Sequence, residues 1–291
     1  MTVEEAEKNP YIMALFESFS MFSVLLMAFI FFLQIFYHHV VSSKYSEKPQ
    51  SAFVVIYIVN VLVFVATGLV HAGYLLAYWC PHGPIYDARF LFISGFLPGI
   101  AISTIQISIF YLGLERIFCL FIPAESSSSR KLIFICGCVS SQLLLIGTAF
   151  ITVFRDYPKK TETHCGAMNC LITPEHSRLY FLYRAAFSFV NTILGITICV
   201  LLRWKLVNRN SKEKRGLTTR LAITTFFCEF AFNFVPHFTV AIMELTGKPF
   251  FKHVGPFSLF FGSLDVGLCA IFYQYSFARL RKSLKKKRAG P

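Results

Sequence analysis

The stretch FSMFSVLLMAFIFFLQIFYHHVV, residues 19–41, contains no Asp, Glu, Lys or Arg. A helix rises about 1.5 Å per residue, so about 20 apolar residues cross a hydrocarbon layer roughly 30 Å thick. This run is long enough to span a bilayer, and its reading decides the class of fold. Six further stretches meet the same test, at 52–78, 90–114, 132–154, 180–202, 221–243 and 250–277. The expectation is an all-α integral membrane bundle of seven helices. It divides the chain into an N-terminal segment at 1–18, a transmembrane domain at 19–277 and a basic tail at 278–291.

Composition agrees with that solvent. Of the 291 residues, 55% are hydrophobic and only 15% charged, and the mean hydropathy is +0.59. The 34 Phe and 13 Tyr exceed what one soluble core needs, whereas membrane helices use such rings for packing and at the headgroup level. A net charge of +13 would suit a nucleic-acid binder, but half of the 28 basic residues lie in two short stretches, 203–220 and 279–288. That distribution reads as membrane orientation, with no nucleic acid involved.

Basic residues are retained on the cytoplasmic side. With the N-terminus outside, the inner segments hold nineteen Lys and Arg against eight in the outer segments, so the C-terminus is expected inside. The acidic start, with Glu4, Glu5 and Glu7, lacks the features of a removable signal peptide. The tail alternates apolar and basic residues, which suits either a short helix on the inner leaflet or a solvated stop-transfer run.

At the inner end of the third span stands Tyr111-Leu-Gly-Leu-Glu115-Arg116-Ile-Phe-Cys-Leu-Phe-Ile-Pro123. It resembles the acidic-Arg element that closes the third helix of rhodopsin-like G-protein-coupled receptors, including a proline seven residues after the arginine. The departures are equally informative. Span six has Phe234-Val-Pro236 where many such receptors place Trp two before the proline, span seven lacks Asn-Pro-x-x-Tyr, and span four has no Trp.

A short N-terminus, a Phe-rich body and this degraded pattern are similar to the nematode serpentine chemoreceptor superfamily. The resemblance implies a plasma-membrane receptor, in sensory cilia, that detects a small environmental molecule and signals through a heterotrimeric G protein. It further implies a switch at Glu115, Arg116 and Pro123. It also implies a ligand pocket between spans three, five, six and seven, with Ser103, Gln106, Arg184, Phe187, Asn191, Phe234, His237 and Phe257 as candidates. Nothing in the sequence bears on dimerisation.

Two acids lie inside apolar spans, Glu229 in span six and Asp265 in span seven. A charge at bilayer depth costs about 2.5–3.5 kcal/mol even on a lenient scale, so both should face the bundle or be neutral. Thr225, Glu229 and Asn233 recur every four residues and share one helical face. Arg184, one turn into span five, either snorkels to the outer interface or faces an acidic ligand. The two acids also define the rival reading, a small transporter or channel with a polar path through Glu229 and Asp265.

Of nine cysteines, only Cys80, Cys165 and Cys170 are expected to face an oxidising exterior, which leaves a bridge from Cys80 to either partner or a local Cys165–Cys170 bridge. The histidines at 38, 39, 164 and 176 form no metal-ligand pattern, so no metal is expected. No cofactor-binding loop and no nucleophile-base pattern occurs, and an enzyme is not expected.

Overall fold

In the computed structural model the described residues are 10–38, 51–81, 83–121, 128–208, 217–245 and 257–288. Helix α1 (Pro10–Phe36) and helix α2 (Ala52–Ala77) form spans one and two. Helix α3 (Ala88–Phe121) is span three, α4 (Ser128–Val153) span four and α5 (Pro174–Asn208) span five. Span six is composite: α6 (Leu217–Cys228), a π-helical segment (Glu229–Phe234) and α7 (Val235–Leu245). Helix α8 (Phe257–Arg288) is span seven.

Five helices are individually long and apolar enough to cross a membrane: Ile12–Phe36, Ala52–Ala77, Ala88–Cys119, Lys131–Asp156 and Leu182–Leu201. The sixth expected span differs because the π segment divides it into α-helices of 12 and 11 residues. The seventh carries Asp265 in its middle and a basic end.

Helix boundaries depart from the sequence expectation where polar residues extend an apolar core. Span three, read as ending at 114, continues through Glu115 and Arg116 to Phe121 and runs uninterrupted through Pro98. Span five begins six residues early, at Pro174, a residue whose missing N–H suits a first helical turn. The basic tail continues α8 to Arg288, so the described part of it is not a separate helix. The last residues expected for span one and the first for span seven, 39–41 and 250–256, lie outside the described residues.

The buried stripe of α1 shows how the bundle is specified. Met21, Leu25, Ala28, Phe32 and Ile35 are all buried, and their spacing of four, three, four and three marks one helical face. That face packs on α2 and α8, while Leu26, Ile30 and Leu33 point outward. Span three is the most buried of the five long apolar helices and span four the least. Helix α3 packs against α2, α4 and α5, whereas α4 rests mainly on α3 and direct packing between α4 and α5 is sparse.

One end of the bundle is capped. Strand β1 (Tyr86–Asp87) pairs antiparallel with β2 (Glu162–Thr163), and the Ala88 N–H donates to the Thr161 carbonyl at 2.8 Å. Asp156 accepts from the backbone and hydroxyl of Thr173 at 2.9 and 3.0 Å and pairs with His176 at 2.6 Å. Met168 then reaches down onto α3, where a Cβ on Gly95 would lie 2.9 Å from the Met168 Cβ. Only glycine at position 95 lets the cap sit this low.

Candidate functional site

Span five carries Tyr180, Arg184, Ser188 and Asn191 at intervals of four, four and three, which place them on one face. That face turns inward. Arg184, Ser188 and Asn191 are wholly buried, so Arg184 does not snorkel. The reason is visible in its partners: Nη2 donates to Asn233 Oδ1 at 2.7 Å, and Nη1 to Ser258 Oγ and, at 3.4 Å, to Tyr180 Oη. All three are neutral, so the guanidinium is held by dipoles and not by a carboxylate.

Asn233 is the hub. Its Nδ2 donates to Glu229 Oε2 at 3.0 Å and to Asp265 Oδ2 at 2.7 Å, while its Oδ1 accepts from Arg184. One amide therefore separates a cation from two acids. Glu229 Oε1 accepts further bonds from Ser188 Oγ at 2.8 Å and Gln106 Nε2 at 3.2 Å, and Asn191 Nδ2 donates to the Gln106 carbonyl at 3.1 Å. His237 Nδ1 lies 2.7 Å from the Asn233 carbonyl, which only accepts, so Nδ1 carries the proton and Nε2 accepts from Ser258 Oγ at 3.0 Å. The network ties spans three, five, six and seven. It is not fully satisfied: Arg184 Nε, Gln106 Oε1 and Asn191 Oδ1 are buried with no partner among the described residues.

The expected pocket residues are divided by this arrangement. Gln106, Arg184, Asn191 and His237 do come together, but they fill the space with bonds to one another. Phe187 packs on Tyr183, ring centroids 4.6 Å apart. Phe234 belongs to a ladder with Phe230, Phe238 and Phe189 at 5.3–5.7 Å. Those three neighbours are exposed, so the ladder faces outward and not into the bundle. The backbone of Phe257 opens α8, and its side chain lies outside the described residues.

A cavity of about 230 Å³ instead lies between spans three, four and five, beneath the cap. Of the expected pocket residues only Ser103 lines it, beside Phe96, Gly99, Thr148, Tyr180 and Tyr183. Tyr180 joins cavity to network, since it lines the one and its hydroxyl accepts from Arg184 in the other.

At the opposite end of α3, Arg116 Nη2 donates to Glu115 Oε2 at 2.8 Å, and the same oxygen accepts from Ser51 Oγ, at the start of α2, at 2.5 Å. Pro123 lies outside the described residues. Deeper in, Thr225 of span six and Tyr273 of span seven are joined through their hydroxyls at 3.0 Å.

A family model for the serpentine type 7TM GPCR chemoreceptor Srbc matches residues 10–272. The chain belongs to the Srbc chemoreceptor family. No curated protein matches it. The expected kinship with serpentine chemoreceptors is thereby established, and this Srbc chain is a multi-pass membrane protein of the seven-transmembrane receptor type, from a family of receptors and not of enzymes.

The structure of the Srbc chain decides between the disulfide pairings that the sequence left open, and it adds a cluster that the sequence did not show. The disulfide joins Cys165 to Cys170, and Cys80, offered above as a partner, is an exposed free thiol. The local bridge staples the cap to itself and leaves α2 unlinked. Cys228, Asp265 and Cys269, all buried, bring their ligand atoms within 4.8 Å of one another, a set able to take a thiophilic cation. Asp265 and Cys269 are an i, i+4 pair, but their third member comes from another helix, which no local spacing reveals. Tyr180 and Ser188 were findable, because they complete the stripe around Arg184.

Proposed function

We propose that this Srbc chain is a chemosensory G-protein-coupled receptor of the plasma membrane, sited in sensory cilia, with its N-terminus outside and its C-terminus in the cytoplasm. The excess of Lys and Arg in the segments then assigned inside supports the orientation. The observation that carries the functional reading is the continuity from cavity to Tyr180, Arg184, Asn233 and the acids of spans six and seven.

A small environmental molecule seated beside Tyr180 alters the bond its hydroxyl makes to Arg184. The guanidinium then shifts against Asn233, and the balance between spans five and six changes. Repacked interfaces of this kind have discrete arrangements and carry a local change across a bundle. At the cytoplasmic end, movement of span six exposes Arg116, held at rest by Glu115, to a heterotrimeric G protein. The reading as a transporter or channel through Glu229 and Asp265 has less support, because both acids are engaged inside a packed network. A catalytic role has no support from any nucleophile-base pair in the sequence.

The test is expression in cells carrying cAMP, cGMP and calcium reporters, screened with small volatile and water-soluble compounds. Arg116→Ala is expected to abolish any ligand-dependent response at unchanged surface expression. A full response from the well-expressed variant would overturn the switch assignment, and ligand-gated current without a G protein would overturn the receptor reading itself.

A further inference from the structure

The cavity between spans three, four and five is closed on the side from which a dissolved ligand would come. Met168 and Ile172 of the cap roof it, and His176 beside them is tied to Asp156 at 2.6 Å. The pocket under Ala167 and Met168 toward Ser258 holds only about 30 Å³. On its flank the cavity is bounded differently. Helices α4 and α5 scarcely touch, and the wall there is made by Thr148, Ala149 and Thr152 of α4. Thr148 and Thr152 are themselves exposed on a helix whose neighbouring surface is Leu144, Phe150 and Ile151. In a seven-span receptor that surface faces acyl chains.

The chemistry of the lining is equally one-sided. Thr148 Oγ1 turns back to the Leu144 carbonyl at 2.9 Å, Thr152 Oγ1 to the Thr148 carbonyl at 2.8 Å, and Ser103 Oγ to the Gly99 carbonyl at 3.1 Å. Each shows the cavity its carbon atoms. The Tyr180 hydroxyl is engaged with Gly99 and Arg184. Tyr183 Oη is different: it is buried with no hydrogen-bond partner among the described residues. A buried phenol that meets no partner carries a desolvation cost, which a ligand oxygen relieves once the Tyr183 ring turns its hydroxyl into the cavity it lines.

We infer that the ligand is a compact lipophilic molecule bearing one hydroxyl or carbonyl oxygen, that it reaches the cavity sideways from the bilayer through the gap between spans four and five, and that Tyr183 Oη receives its oxygen. This deepens, and rests on, the reading of the cavity as the receptor's ligand site. The volume of about 230 Å³ is below the usual range of 300–1,000 Å³ for drug-sized sites, so the molecule is small. It partitions into lipid first, and its concentration there, not in water, sets occupancy.

The experiment uses the purified full-length chain in nanodiscs of a zwitterionic phosphatidylcholine and the photoreactive alcohol 3-azioctanol. Brief irradiation followed by peptide mass spectrometry is expected to place adducts on Tyr180, Tyr183 and Thr148 at several times the frequency found on the lipid-facing Leu143 and Ile151. Thr148→Trp, on an exposed position where folding is tolerant, plugs the gap and is expected to lower the cavity adducts at least fivefold while leaving those on Ile151 unchanged. Tyr183→Phe keeps the ring and is expected to lower labelling by the alcohol, but not by a diazirine alkane of the same length.

Cavity adducts no more frequent than lipid-facing ones, or undiminished in Thr148→Trp, would overturn the inference, and equal loss of both probes in Tyr183→Phe would overturn the role of its hydroxyl. Labelling requires no signalling, so the two readings fail separately. Cavity adducts without any cellular response count against the receptor reading alone, and a response without cavity adducts overturns the inference while the receptor reading stands.

Discussion

Asn233 holds together groups that would otherwise be hard to bury. Its amide supplies the acceptor for Arg184 and two donors for Glu229 and Asp265, and no other single side chain in the described network bonds to all three. Removing it leaves three charged or ionisable groups without their common partner, and a hydrogen bond to a charged group is worth about 1.5–3 kcal/mol. Asn233→Ala is therefore expected to destabilise the receptor by about 3 kcal/mol or more, seen as a drop of several degrees in the melting temperature in detergent. Asn233→Ala melting like the parent would show that water or the Arg184 side chain itself re-pairs the acids.

The residue scale is also where the sequence was least complete. Glu229 and Asp265 were singled out as acids in apolar spans, because a charge at that depth is costly and thus conspicuous, whereas Gln106, Arg184, Asn191 and His237 entered as pocket candidates implied by the family resemblance. Their mutual satisfaction was not legible, since it depends on how spans three, five, six and seven rotate about their axes. The cavity escaped for the same reason: Thr148 and Tyr183 are unremarkable letters until α4 is seen to stand apart from α5.

At the scale of the element, close helix approach is set by small residues. Phe226 of span six projects between spans three and five, where a Cβ on Gly113 would lie 2.7 Å from its Cζ and a Cβ on Gly195 2.7 Å from its Cβ. Gly113→Ala is expected to overpack the contact and cost about 1–3 kcal/mol, lowering melting temperature and yield. Because the collision is with the far end of the ring, Phe226→Leu is expected to restore most of the loss in the double variant. No recovery would mean that the backbone of α3, not the ring, absorbs the strain.

Helix content and span order were readable from hydropathy because they depend on local composition. The π-helical segment was not, since its i→i+5 bonding has no residue signature of its own and is fixed by what span six meets. The cap tells a similar story. Its local bridge closes a loop with a sequence separation of 5, worth about 2 kcal/mol in the chain-entropy account. Cys170→Ser is expected to speed tryptic cleavage at the exposed Lys159 and Lys160 several-fold, while Cys80→Ser leaves it unchanged. The reverse pattern would restore the long-range bridge considered from sequence.

Taken as a whole molecule, the receptor is organised as a packed block of spans one, two, three and seven with spans four, five and six arrayed on it. The contacts of α1 with α2 and α8, and of α2 with α3, are extensive, whereas α4 rests mainly on α3. The charged network sits where the block meets spans five and six, and the block contributes Gln106 of span three and Asp265 of span seven to it. The loop charges on which the proposed orientation rests belong to this scale, and they are read from the sequence because they need no tertiary contact.

The segment Glu229–Phe234 gives span six a property that a uniform α-helix lacks. A π turn accommodates one residue more than its α counterpart, and that surplus is a dislocation in an otherwise regular ladder of bonds. A dislocation can travel. Each step along the chain exchanges a single i→i+5 bond for an i→i+4 bond, leaves both ends of the span at the same depth, and turns the residues it passes by about 100° about the helix axis. Span six can thus swing a chosen set of side chains between neighbours as a worm gear advances, without the helix having to tilt, lengthen or break.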